Sequence, residues 1–161
     1  MNKNYFVTES DVNIIHNIPQ YKLEDQFNYT LLRKVCTLQR SASNLLSFIN
    51  LKNFLVNYTV VPYTGVSMLD IRFKVRKIPK LNNFLSEFKK ATIEGKLRGL
   101  YYIDKVDSGA NAYICTEYSA VFIQDNVKIL GDNIYLHGYF DNENSVNRYF
   151  DLVQYLAVVD E

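Results

Sequence analysis

The segment VSMLDIRFKVRK, residues 66–77, decides the fold class. Within it Leu69, Ile71, Phe73 and Val75 alternate with Asp70, Arg72, Lys74 and Arg76. Successive side chains of an extended chain point to opposite faces, so a period of two puts the apolar groups on one side and the charged groups on the other. The segment is therefore expected to be a strand with one buried face and one solvated, cationic face.

On its N-terminal side, Thr64-Gly65 reads as a turn, and residues 55–63 as a second strand, rich in β-branched and aromatic residues, with Pro62 at its end or on an edge. Before that, residues 24–54 carry Leu31, Val35, Leu38, Ala42, Leu45 and Ile49 at alternating steps of four and three, with Phe27 one turn earlier. That spacing predicts a long helix. Leu32, Leu46 and Phe48 widen the stripe, which favours packing on the chain's own sheet over a coiled-coil seam. Ser41, Ala42 and Ser43 are weak points, and two helices meeting near Ser43 is the alternative. Pro19 breaks whatever precedes the helix, and residues 5–8 are expected to form a short strand.

On the C-terminal side, Pro79 suits a first helical position. Leu81, Phe84, Leu85 and Phe88 follow with helical spacing, Lys89 and Lys90 suit the C-terminal end, and Gly95 suits a stop. Residues 100–106 read as a strand, 107–109 as a turn, and 112–123 as a long strand with a bulge expected near Ser119. Gln124-Asp125-Asn126 makes another turn. Residues 127–130 and 134–140 form a hairpin around Gly131-Asp132-Asn133. Asn142 is expected to cap a last helix over 143–158, with a stripe of Val146, Phe150, Val153 and Ala157. The expected order is α-β-β-α-β-β-β-β-α. It describes a single α+β domain over residues 1–161, with a mainly antiparallel sheet packed on a long N-terminal helix and two shorter ones.

Composition bounds function more than it defines it. The chain has 161 residues, 48% hydrophobic and 22% charged, which suits a globular protein with one core. It has 13 Tyr, 10 Phe and no Trp. Together with abundant Asn, Ile and Lys, residue types with A/T-rich codons, this points to an A/T-rich genome such as that of a virus, a phage or an A/T-rich bacterium. Cys36 and Cys115 lack the spacing of a structural metal site and read as thiols in a reducing compartment, with one disulfide as the alternative. No apolar run suits a signal peptide or a membrane span. The expectation is a soluble intracellular protein, in the host cytoplasm or the virion if viral, with no membrane partner.

Net charge is +1, yet the charge is unevenly placed. Residues 72–98 hold nine basic residues and two acidic ones, whereas residues 99–161 hold three basic and ten acidic. Arg72, Lys74, Arg76, Lys77, Lys80, Lys89, Lys90, Lys96 and Arg98 form the candidate binding set. Two partners suit them. Another protein, or a second copy whose acidic half meets this basic one, gives an assembly, structural or adaptor role. Nucleic acid is the alternative, held by phosphate contacts with Tyr101, Tyr102, Tyr135 and Tyr139 stacking on bases. The protein-binding role leads, because no catalytic motif is legible and no cofactor or metal is expected. Asp70 with Glu94-Gly95-Lys96 matches a metal-dependent nuclease pattern only loosely. His16 and His137 have no ligand or nucleophile beside them in sequence, the glycines fit no phosphate loop, and Ser67 and Ser108 lack a nucleophile signature.

Overall fold

The computed structural model describes residues 2–18 and 30–159. The short helix α1 (Asn2–Tyr5) leads into β1 (Val7–Asn17). Then come β2 (Leu32–Arg33), α2 (Leu38–Leu45), β3 (Phe54–Val61), β4 (Ser67–Val75) and α3 (Leu81–Ile93). The chain continues through β5 (Tyr101–Asp104), a 3-10 turn (Ala110–Tyr113), β6 (Ala120–Ile123), a second 3-10 turn (Gln124–Asn126), β7 (Lys128–Leu130), β8 (Asn133–Phe140) and α4 (Asn144–Val159). Helices and one large sheet are mixed, as an α+β chain requires.

Among the described residues the sheet has eight strands in the order β2-β3-β1-β4-β8-β6-β5, with β7 alongside β8. β4 lies antiparallel between β1 and β8, so Phe73 stands between Ser10 and Ile134, and Ile71 between Val12 and Leu136. The alternation expected of residues 66–77 is present. Leu69, Ile71, Phe73 and Val75 join a core of Tyr5, Phe84, Ala120, Phe122, Val127, Ile134 and Leu136 beneath α3. Phe84 is the centre of that core at 1% exposure, and its ring lies 5.8 Å from Tyr5 and 5.9 Å from Phe88. At the far end of the opposite face, Val66, Tyr113, Val121, Ile123 and Tyr139 form a second cluster. Gly138 allows β6 to cross closely, since a side chain there would meet the Val121 carbonyl oxygen.

Several expectations are overturned. The long helix over 24–54 is absent from residues 30–54, and residues 24–29 lie outside the described residues. Leu31, Val35 and Leu45 of its stripe are exposed; Ile49 alone of the set is buried. The cause is the free edge of β3, whose unpaired backbone groups draw this stretch into extended pairing: Leu32 stands against Val60, Arg33 against Thr59, and the Lys34 N–H donates to the Tyr58 carbonyl. The strand expected at residues 5–8 is instead the eleven-residue β1, central in the sheet. The sheet is mainly antiparallel as expected, five strand pairs of seven among the described residues, but β1 runs parallel to β3 and β5 parallel to β6.

The strand expected over 112–123 shrinks to β6. Gly109 (φ 79°) and Cys115 (φ 60°) take left-handed backbone, which folds residues 110–118 over the sheet and buries Tyr113. Pro79 precedes α3 rather than opening it, because Lys80 is the cap. Asn142 donates to Asn17 Oδ1 (3.4 Å), and Asp141 Oδ1 accepts the Glu143 N–H at the start of α4. The stripe of α4 does not bury: Val146, Phe150 and Val153 are exposed. Among the described residues no helix is long and apolar enough to cross a membrane.

Phe84→Ala should lower stability by about 3–5 kcal/mol, because it empties a tightly packed site. Val35→Ala should change it by less than about 0.5 kcal/mol, since no packing is lost. Urea unfolding midpoints of the two variants check both expectations, and a large loss at Val35 would restore the long core helix.

Candidate functional site

The polar face of the sheet is built by the same period of two that builds the core. Asp11 and Asn13 on β1, Asp70 and Arg72 on β4, and Tyr135 and His137 on β8 stand side by side, because Asp11 pairs with Arg72, Asn13 with Asp70, Arg72 with Tyr135 and Asp70 with His137. With Asn57, Asn126 and Lys128 they line an open cleft of about 490 Å³.

Two contact networks hold it. In the first, Arg72 Nε donates to Asp11 Oδ2 at 2.5 Å, its Nη1 donates to Asn133 Oδ1 at 2.7 Å, and Glu9 lies 3.8 Å from its Nη2. The bond to Asp11 first, then the charges of Asp11, Glu9 and Tyr135, raise the guanidinium pKa above its ordinary value against the opposing effect of burial. Lys74 Nζ reaches Glu9 at 3.2 Å. In the second network His137 Nδ1 donates to Asp70 Oδ1 at 2.7 Å, and its Nε2 faces Asp107 Oδ2 at 3.6 Å. Asp107 is the hub. It accepts from the Tyr139 hydroxyl at 3.0 Å, from Asn126 Nδ2 at 3.2 Å and from the Gly109 N–H at 2.9 Å. Tyr139 stacks on Tyr113 with ring centres 5.1 Å apart. Burial first, then the bond to Asp107 and its charge, push the Tyr139 phenol up to about 12. Burial and Asp104 raise Tyr113 in the same direction.

His137 Nδ1 is bonded to Asp70, whereas Nε2 lies 3.6 Å from Asp107, beyond hydrogen-bond length. Asp70 and Asp107 approach the ring from opposite nitrogens, so the three groups do not converge on one ion. Among the described residues no cluster of His, Cys, Asp and Glu could hold a metal. The loose nuclease pattern does not assemble: Asp70 is on the polar face, whereas Glu94 caps the C-terminal end of α3, which packs on the apolar face. Cys36 and Cys115 are both free thiols.

The nine basic residues do not share one surface. Arg72 and Lys74 are engaged by the carboxylates of β1. Arg76 and Lys77 are exposed beyond the end of β4, where their backbone N–H groups donate to Phe6 and Tyr5 carbonyls. Lys80 at the N-terminal cap of α3, Lys89 and Lys90 along it and Lys96 after it are exposed. Lys89 and Arg98 do come together, in a cleft of about 480 Å³ that also contains Tyr102 and Tyr118, stacked with ring centres 5.4 Å apart. Of the other tyrosines proposed to stack, Tyr139 is buried, Tyr101 packs on Phe122, and Tyr135 is open to the first cleft.

Sequence reasoning missed the His137 network, since its partners lie 67 and 30 positions away and leave no local signal. It also missed the outward turn of α4. Only Asn144, Asn147 and Arg148 of that helix are partly covered among those past its start with polar side chains; from Tyr149 to Val158 every side chain is exposed. Arg148 donates to the carbonyls of Gly99 (3.4 Å) and Glu117 (3.3 Å), and Asn144 donates to that of Ser119 (3.2 Å). Asn147, Arg148, Phe150, Asp151 and Gln154 border a cleft against Arg98 and Glu117, so the side nearest the body is mostly polar. The opposite side carries Val146, Tyr149, Leu152, Val153 and Leu156. Compared with known proteins, the sequence matches no family model, and no curated protein resembles it.

Tyr139 gives a test of the buried network. Its phenol is raised in the folded state, so its contribution to stability is complete below pH about 10 and is lost as pH rises toward about 12. Tyr139→Phe should therefore flatten the fall in urea midpoint between those pH values. An unchanged fall would show that Tyr139 does not contribute to it.

Proposed function

We propose that the protein is a non-enzymatic interaction subunit, with an assembly, structural or adaptor role, that binds another protein through α4. The supporting observation is that α4 meets the body through Asn144, Asn147 and Arg148 while Val146, Tyr149, Phe150, Leu152, Val153 and Leu156 stay exposed. A surface helix of a water-soluble fold ordinarily does the reverse. At typical side-chain areas, the six exposed apolar groups Val146, Tyr149, Phe150, Leu152, Val153 and Leu156 present on the order of 600 Å², the upper end of the roughly 300–600 Å² of the largest apolar patch on most monomers. Tyr149 and Phe150 supply the rigid aromatic contacts that interfaces favour.

The orientation can be tested without knowing the partner. Leu156→Cys, in a chain carrying Cys36→Ser and Cys115→Ser, should react with a thiol reagent as an open side chain when the protein is diluted to about nanomolar concentration. A thiol that is protected at that dilution and reacts only on unfolding would mean that α4 packs on its own body, and the proposal would fall.

Nucleic-acid binding is the second reading, and the Lys89–Arg98–Tyr102–Tyr118 cleft favours it, since it places two cations beside a stacked aromatic pair. On that reading the chain retards a labelled single strand of roughly 20 nucleotides, and Lys89→Glu with Arg98→Glu weakens retention at least about tenfold at low salt. Equal retention by the variant would remove this cleft as the site.

A further inference from the structure

We infer that the occupant of the α4 face is α4 of a second copy, packed antiparallel about a two-fold axis. This rests on the reading of α4 as a docking face and adds the identity of what docks there.

Three observations carry it. The first is spacing. Val146, Tyr149, Val153 and Leu156 follow one another at steps of three, four and three, the seam of a helix pair, and Phe150 and Leu152 flank that seam on either side. All six side chains are exposed. The second is charge. The charged side chains of the helix between Asn144 and Val158 are Arg148 and Asp151, which pair with each other at 3.2 Å on the polar side. Two copies of the seam therefore meet with no like charges opposed, and the chain's net charge of +1 opposes their approach only weakly. A strongly acidic or basic partner would find no complement on this surface.

The third is area. Standard interfaces take about 600–1,000 Å² from each partner, and the six side chains of the α4 face offer on the order of 600 Å². Two heptads alone are too short for a free-standing coiled coil, so the flanking Phe150 and Leu152 must take part. The antiparallel sense follows from the anchoring. The body holds α4 near its N-terminal end, at Asn144 and Arg148. A parallel pair would press the two bodies together at one end, whereas an antiparallel pair places them at opposite ends. It also sets the helix dipoles head to tail. The same patch then serves both copies, so the contact closes at two.

The test is the mass of the full chain in solution, by analytical ultracentrifugation from about 1 to about 200 µM, read together with Leu156→Cys labelling in the Cys36→Ser, Cys115→Ser chain. The expected result is a shift from the 18.8 kDa chain mass to twice that value, with the Leu156→Cys thiol becoming protected as dimer forms. Val153→Glu should hold the chain at its single mass over the same range. A single mass at every concentration with a reactive thiol overturns the second copy as occupant and leaves the docking face standing. A single mass with a protected thiol overturns both. Growth beyond two copies, or a dimer in which the thiol stays reactive, places self-association on another surface and also overturns the inference.

Discussion

The register of β4 between β1 and β8 is the constraint on which the rest depends. Phe73 is flanked by Ser10 and Ile134 on one face, and Arg72 by Asp11 and Tyr135 on the other. A slip of one residue would send Arg72 and Lys74 under α3 and Phe73 into water. Both sides penalise it: burying an unpaired guanidinium costs several kcal/mol, and exposing Phe73 and Ile71 loses roughly 1.5–3 kcal/mol each. The apolar contacts fix which way the strand faces. The Arg72–Asp11 bond fixes which strand lies beside it, because only β1 presents carboxylates at that height.

That arrangement also explains why Arg72 and Lys74 do not leave the polar face of β4 cationic. Glu9 and Asp11 lie far from residues 72–74 in sequence but adjacent in space, so the charge is balanced locally rather than by the acidic second half. The acidic half has its own business: Asp107 gathers Tyr139, Asn126 and its own turn, and Asp141 accepts the Cys115 N–H at 2.7 Å. Both bonds secure the chain that folds over the far end of the sheet. Bonds to carboxylates in such half-buried places contribute about 1.5–3 kcal/mol each.

What the sequence revealed follows from how strongly burial marks each element. β4 and α3 were legible because each has one face in the core, which imposes a period of two on Leu69–Val75 and a helical period on Leu81–Phe88. The β7–β8 hairpin was legible from its turn, where Leu130 opposes Asn133 across Gly131-Asp132. β1 was not, because its core-facing positions include Ser10 and His16 while Ile15 lies on the other face, so alternation is blurred. The stripe over residues 31–49 misled for the opposite reason. Its spacing was helical, but the backbone needs of the β3 edge outweighed it, leaving only the eight-residue α2. Parallel pairs leave no hairpin signature, since their connections are long. The nine cations were legible as a group in sequence, but their dispersal was not, because it depends on partners that the fold brings from a distance.

The last helix raises a problem of stability as well as of recognition. A sixteen-residue helix is marginal in water even with good helix formers, and most helical stability comes from packing an apolar face. α4 instead carries Val, Tyr and Phe, middling or poor formers, and meets the body through Arg148, Asn144 and their carbonyl partners. Such polar contacts contribute about 1 kcal/mol each, too little to hold four turns against fraying. On the proposed reading the missing stabilisation comes from the partner, so ordering of α4 and covering of its outer side are a single event. The Arg148 anchor then sets where the helix starts and which way it turns, and the apolar seam supplies the energy that keeps it formed.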